Sequence, residues 1–379
     1  MKKALIIGGG FAGCAAAHQL SMIGGWRVEL VETAPFLGGG CKTFTHGGHP
    51  YTFGPRHFLT KDEKLFGFLN EYVPMRQIPE HEFLTYVERD QRFYHFPIHR
   101  DEVSEMPDAD QIEAELEACP DEVSPENLEE FWVQSVGPTL YDKFVNSYSK
   151  KMWQIESNTE LTEFGYTAKG VALKTGPSKA CWTEAISAFP LAQNGYDDYF
   201  DISTAEATVH LSTRIEKVDV EKSRALIDGA WHDYDILVNT VSPEFILDGA
   251  FGPLRWMGRD FFKIVLPVPE VFPENVYFLY YANQEPFTRI VEYKKFYRYE
   301  SPMTLIGVEI PSTKNKLYPF TTKKDYAKAK LYFDALPENV FSIGRAASYR
   351  YLDVAPIIQQ AMDMREALST GSAASREAA

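Results

Sequence analysis

The chain has 379 residues, 45% hydrophobic and 24% charged, and carries a formal net charge of -15 at pH 7. That much apolar sequence supports two or three packed units and excludes a disordered chain. The negative balance excludes a general affinity for nucleic acid or an anionic membrane surface, so any anionic ligand must meet a local cationic pocket.

The apolar stretch from Ala4 to Ala17 is broken by Gly8, Gly9, Gly10 and Gly13. It is too short for a membrane span and lacks the plan of a secretion signal, which predicts a cytoplasmic enzyme. Within it, the strand Ala4-Leu-Ile-Ile7 runs directly into Gly8-x-Gly10-x-x-Gly13 and a helix predicted from Ala12 to Ile23. The next apolar run, Val28 to Val31, ends on Glu32. This spacing predicts a dinucleotide-binding βαβ unit. Gly8 permits the tight turn, Gly10 lets the backbone approach a pyrophosphate, and Gly13 lets the helix pack close on the strand. Phe11 and Ala12 open a helix whose unpaired N–H groups attract phosphate, and Glu32 accepts hydrogen bonds from ribose hydroxyls. A second glycine turn, Gly38-Gly39-Gly40, follows where a nicotinamide enzyme would run into its next helix. It favours FAD over NAD, with Gly39 and Gly40 allowing a loop to pass close to the flavin; an ordinary surface turn is the plainer alternative.

Residues 101 to 130 hold thirteen acids and no Lys or Arg. Apolar residues at helical spacing, Ile112, Leu116, Leu128, Phe131 and Trp132, predict a helical insertion with a solvated acidic face. Ser124-Pro125 reads as cap and first position of the following helix. Alternation in Thr208 to Thr213 and Ala225 to Asp228 predicts short strands, and Asp235 to Pro243 reads as a buried strand returning to the cofactor sheet. Residues 251 to 310 read as sheet, through Phe262 to Val268, Val276 to Tyr281 and Thr304 to Ile310. A helix from Ala355 to Ala367 precedes a small polar tail, 369–379, expected to be disordered. Cys14, Cys41, Cys119 and Cys181 lie far apart without C-x-x-C spacing, which supports neither a metal site nor a disulfide framework.

Four further segments carry a resemblance. Ser124 to Glu130 with Ser135-Val-Gly137, Leu140-Tyr141 and Tyr148-x-x-Lys151-x-Trp153 resembles the helical insert of UDP-galactopyranose mutases. Pro286-Phe-Thr-Arg289-Ile-Val-Glu292-Tyr-Lys294-x-Phe296 is similar to that family's arginine-bearing strand. Tyr318-Pro319 resembles its phosphate-binding tyrosine, and Gly344-Arg345-x-x-x-Tyr349-x-Tyr351-x-Asp353 resembles its C-terminal flavin and diphosphate motif. The resemblance implies an α/β chain: a Rossmann-like FAD-binding domain (1–80, 205–250 and 330–368), a helical insertion (100–160) and an antiparallel sheet substrate domain (81–99, 161–204 and 251–329). It also implies an isomerase that interconverts pyranose and furanose forms of a nucleotide-diphosphate sugar, with N5 of reduced FAD attacking the anomeric carbon and no net redox. NAD(P)H or another reductant would supply the electrons.

The implied roles follow the motifs. Arg289, Tyr318 and Tyr351 hold the diphosphate, Arg345 and Asp353 serve the cofactor, and Trp153 forms an apolar wall or a core position. Where the family has Gly-Ala-His-x-Phe-His, this chain has Gly54-Pro55-Arg56-His57-Phe58-Leu59, so Arg56 and Leu59 replace both histidines. Arg56 and His57 then face an altered sugar, one with acceptor oxygens on a substituent, or a deoxy or heptose sugar. A gapless match turns the second phosphate arginine into Ala185, leaving Lys179 or Lys174 to supply charge and Trp182 to stack on a base. A flavin oxidoreductase of the amine-oxidase or desaturase type and a non-catalytic nucleotide-sugar binder stay open as alternatives. So does a homodimer.

Overall fold

A computed structural model describes residues 1–162, 172–320 and 322–370. Five parallel strands form the cofactor sheet in the order Thr208–His210, Trp26–Val31, Lys2–Ile7, Ile236–Asn239, Val340–Ser342. Both faces are covered, as parallel sheets require, and alternation along each strand assigns the sides. Ala4, Ile6, Val28, Leu30, Ile236 and Val238 face one core, packed on the helices Phe11–Ile23 and Val354–Thr370. Leu5, Ile7, Val31 and Leu237 face the other, closed by a three-stranded meander, Ile215–Asp219, Arg224–Ile227 and Ala230–Asp233.

The second body is a seven-stranded sheet in the order Tyr318–Pro319, Trp256–Leu266, Thr304–Ser312, Arg289–Glu292, Val276–Tyr281, Glu82–Val87, Arg92–His95. It is not purely antiparallel: Val276–Tyr281 runs parallel to Glu82–Val87, because these distant segments meet without a hairpin. The expected run of sheet to residue 310 is also interrupted by the helix Tyr293–Tyr297.

Helices Ala109–Ala118, Leu128–Tyr141 and Ser147–Trp153 form the insertion. Asn127, not Ser124, caps the second of these: its side chain accepts from the Glu130 N–H. That helix breaks at Gly137, whose φ is 82°. The Glu115 carboxylate takes the Thr139 N–H at 2.8 Å and so caps the second half. The acidic stretch is thus partly engaged rather than simply solvated, with Glu113 on Arg100 and Asp108 on Arg89 and Lys143.

Two expected boundaries move. Helix Asp197–Thr204 packs on Phe11–Ile23, so Tyr199 and Phe200 belong to the cofactor core rather than the substrate sheet. Helix Lys323–Asp334 runs through the division expected at residue 330. Ser369 and Thr370 extend the last helix, and 371–379 lie outside the described residues. No described helix is long and apolar enough to cross a membrane.

Candidate active site

The glycine loop is built by close contact. Gly8 has φ 96°, and a Cβ on Gly13 would stand 1.9 Å from the Gly8 carbonyl oxygen, so the helix start sits directly on the strand end. Gly10 precedes the helix without a side-chain cap, and a Cβ built on it meets nothing within 4 Å. The first-turn N–H groups of Phe11, Ala12 and Gly13 are therefore left for an anion. The second glycine turn lies against the first: the Gly38 N–H donates to the Gly9 carbonyl at 2.8 Å, and a Cβ on Gly39 would come within 3.2 Å of the Gly10 Cα. Glu32 accepts from the N–H of Gly9 at 2.6 Å and of Ala34 at 2.7 Å, which fixes the carboxylate beside the loop with lone pairs to spare. An uncapped helix start, an open approach over Gly10, a fixed carboxylate and two touching glycine turns fit FAD.

Beyond these loops the sheet assembles a cationic cluster by register. Tyr280 pairs with Arg289, Arg289 with Glu309, and Glu309 with Phe261. Partners in such a row share a face, as do residues two apart on one strand, so Arg259 joins Phe261 there. Met257 pairs with Tyr318 and adds that tyrosine to the same side. Arg289 donates through Nε and Nη2 to the two Glu309 oxygens at 2.9 and 2.7 Å. Arg259 Nε lies 3.9 Å from the same carboxylate. The Arg259 and Arg345 guanidiniums stand 4.9 and 4.7 Å from the Tyr318 ring centre. Tyr318 and Tyr351 stack at 5.3 Å, and Arg345 also lies 5.0 Å from the Tyr351 ring.

Two contacts join this cluster to the cofactor loops. Arg345 is anchored on the Leu352 carbonyl at 2.9 and 2.6 Å and lies 3.3 Å from Asp353. Its neighbour Gly344 abuts the cofactor helix, since a Cβ there would fall 2.7 Å from that of Ala12. On the other side, Arg56 Nε donates to the Gly40 carbonyl at 3.0 Å. The Arg56 charge is favoured by Tyr318, Cys41, Asp353 and Glu309, although desolvation opposes it.

Among the described residues Arg56, Arg259, Arg289 and Arg345 thus gather around the carboxylates of Glu309 and Asp353 with cations in excess, which is the local cationic pocket that a protein of charge -15 requires for an anionic ligand. Burial alone would raise the Tyr318 phenol, yet Arg259, Arg56 and Arg345 hold it below the ordinary value. A more acidic phenol is a better donor to a phosphate oxygen.

Other expected site residues lie elsewhere. Trp182 is 8% exposed and packs in the aromatic core, 4.8 Å from His57 and 5.0 Å from His81. The indole therefore packs among aromatic rings rather than beside the Arg289–Tyr318 cluster. His57 points into the same core, 6.3 Å from Phe296. Lys179 acts on Glu102 and Lys174, and Lys174 is buried with its ammonium on the Ala180 carbonyl. Trp153 is 3% exposed, lies 5.6 Å from Phe320, and belongs to the apolar core that also holds Tyr318. Arg259 and Glu309 were not singled out in the sequence. The available signal was Glu309, the one charge inside Thr304–Ser312; Arg259 shares its strand with Asp260 and Lys263 and does not stand out.

The sequence model described as UDP-galactopyranose mutase matches residues 143–351, more than half of the chain. The chain belongs to the UDP-galactopyranose mutase family. Residues 6–72 separately match an NAD(P)-binding Rossmann-like domain. Over 383 residues, covering 96% of this chain and 97% of the relative, it is 22% identical to the dTDP-fucopyranose mutase of Escherichia coli. It is likewise 22% identical to a probable UDP-galactopyranose mutase of Klebsiella pneumoniae, with 95% and 93% of the two chains covered. A crystal structure of reduced UDP-galactopyranose mutase superposes with a TM-score of 0.82 at 16% identity, over 99% of this chain and 98% of the other. A putative protoporphyrinogen oxidase from Exiguobacterium shares the fold with a TM-score of 0.73 at 13% identity, over 98% and 99%. As a member of the mutase family the chain is an isomerase.

Proposed function

We propose that this chain is a flavin-dependent mutase that changes the ring size of a nucleotide-diphosphate sugar between pyranose and furanose. The observation that carries the reading is the cluster of Arg289, Tyr318, Tyr351, Arg345 and Arg56 beside the two glycine turns, within a chain of this family. Gly8, Gly10, Phe11, Ala12, Gly13, Glu32, Gly39 and Gly40 would hold FAD, together with Arg345 and Asp353. Bound in the reduced form, FAD supplies a nucleophilic nitrogen for the anomeric carbon with no net redox, NAD(P)H or another reductant having reduced it beforehand.

The side chains then have a positional task. Tyr318 and Tyr351 donate phenol hydrogen bonds to the diphosphate, and Arg289 presents a guanidinium already locked by Glu309, so little side-chain freedom is lost on binding. Departure of the nucleoside diphosphate leaves negative charge where the guanidiniums stand, and it stays there until it returns to the anomeric carbon. Between those events the bond from the anomeric carbon to the ring oxygen opens, that oxygen gaining a proton, and a bond to a neighbouring hydroxyl oxygen closes, that hydroxyl losing one. Arg56, fixed on the Gly40 carbonyl, faces the sugar and favours a substituent with acceptor oxygens.

The test is turnover. The chemically reduced enzyme is incubated with UDP-galactopyranose and with dTDP-fucopyranose, and products are separated by anion-exchange chromatography. Ring-size change without net consumption of reductant is expected with at least one of them. Net oxidation of the sugar, or turnover equal with fully oxidised flavin, would overturn the reading.

A further inference from the structure

The expected diphosphate clamp, Arg289, is formally neutralised before any ligand arrives. Both of its donated bonds to Glu309 are short, and Glu309 is 2% exposed, so the pair enters the site as a buried dipole rather than a net cation. A nucleoside diphosphate brings at least two negative charges into this space, and burying them without compensation is unfavourable.

Arg259 is in the opposite condition. Its side chain is 7% exposed. Its Nη1 donates to the Gly258 carbonyl at 2.8 Å and its Nη2 rests on Met152 Sδ, a weak acceptor. Its Nε is buried and has no hydrogen-bond partner, the Glu309 carboxylate standing 3.9 Å away. A buried guanidinium with an orphan N–H costs free energy unless a further acceptor arrives. The same side chain lies 4.9 Å from the Tyr318 ring and leads the cations that acidify that phenol. Arg289 and Arg259 both approach the same Glu309 oxygen, at 2.7 and 3.9 Å, which keeps the two guanidiniums close enough to meet one diphosphate together.

We propose that Arg259 is the second diphosphate-binding cation of this site and the one that brings uncompensated positive charge, the role for which Lys174 and Lys179 are misplaced. The inference rests on the mutase reading, since it takes the ligand to be a nucleoside diphosphate. Arg259 serves both the bound nucleotide sugar and the departed diphosphate, so its loss raises KM and lowers kcat/KM more than it changes flavin content.

The experiment measures binding of UDP, dTDP and inorganic pyrophosphate to FAD-loaded protein by calorimetry at several salt concentrations, for the parent, R259M and K314M. Lys314 is 76% exposed and pairs with Asp260, so its variant removes the same formal charge from the surface. R259M is expected to weaken the best nucleoside diphosphate at least about thirtyfold and to flatten its salt dependence, as removal of a desolvated charge partner does. K314M is expected to stay within about twofold of the parent. R259Q, which keeps a donor for the Gly258 carbonyl, serves in place of R259M where that variant fails to fold. Parent-like affinity in the arginine variant with normal FAD content overturns the assignment and leaves the mutase reading standing. Absence of binding of any diphosphate to the parent removes the reading on which it rests.

Discussion

Breaking the Arg289–Glu309 pair from one side should destabilise the protein as well as impair turnover. Arg289 is 18% exposed and Glu309 2%, with two direct bonds between them. R289M leaves a buried carboxylate with Arg259 3.9 Å away as its remaining cation. Removing one partner of such a pair costs about 3–5 kcal/mol, and Arg259 places this case near the lower end. At about 2.1 cal/mol/K per residue, 379 residues give roughly 0.8 kcal/mol/K, so a loss of about 3 kcal/mol lowers Tm by about 4 °C. E309Q alone leaves two buried cations, Arg289 and Arg259, without their carboxylate, whereas the double variant R289M/E309Q leaves only Arg259, so the double variant should be more stable than E309Q. Thermal unfolding of the parent, both single variants and the double variant closes the cycle. A Tm for R289M within 1 °C of the parent, or a double variant no more stable than E309Q, would refute the buried-pair reasoning. Turnover should stay low in the double variant even where stability returns, which separates the two roles of Arg289.

Gly13→Val places side-chain atoms where the Gly8 carbonyl oxygen stands 1.9 Å from an added Cβ, so strand and helix must part and the purified protein should lose its yellow colour. Cys14→Ser keeps a donor toward the Gly9 carbonyl and should retain FAD, read as the flavin absorbance relative to 280 nm. Tyr318→Phe removes one hydrogen bond to a charged group, worth about 1.5–3 kcal/mol, so kcat/KM should fall about tenfold to a hundredfold with FAD content unchanged. Because the donor is the protonated phenol and its pKa is lowered, the parent's kcat/KM should decline with rising pH before the ordinary tyrosine range is reached. Y318F should lack that alkaline limb; an identical profile in the variant would dismiss Tyr318 as the titrating group. Trp182→Ala, a cavity in an aromatic core at 8% exposure, should cost about 3–5 kcal/mol of stability and leave KM for the nucleotide sugar unchanged, whereas a raised KM at normal Tm would return Trp182 to the binding site.

The cofactor half of this protein was legible from its sequence because its determinants are local. A strand, a glycine turn, a helix and an acid occupy about thirty consecutive positions, and covalent spacing alone brings Gly8, Gly13 and Glu32 together. The buried strand at Ile236–Asn239 and the aromatic strand at Val276–Tyr281 were equally plain, since composition and length identify such runs without reference to partners. Family likeness added Arg289, Tyr318, Tyr351 and Arg345, but not what each would touch. Tertiary structure decided the rest. Whether Trp182 lines a pocket or fills a core depends on His57 and His81, far from it in sequence. Whether Arg289 is a free cation depends on Glu309, and that is a matter of strand register. A shift of one residue would turn Glu309 to the opposite face of the sheet and leave Arg289 and Arg259 without the carboxylate they share.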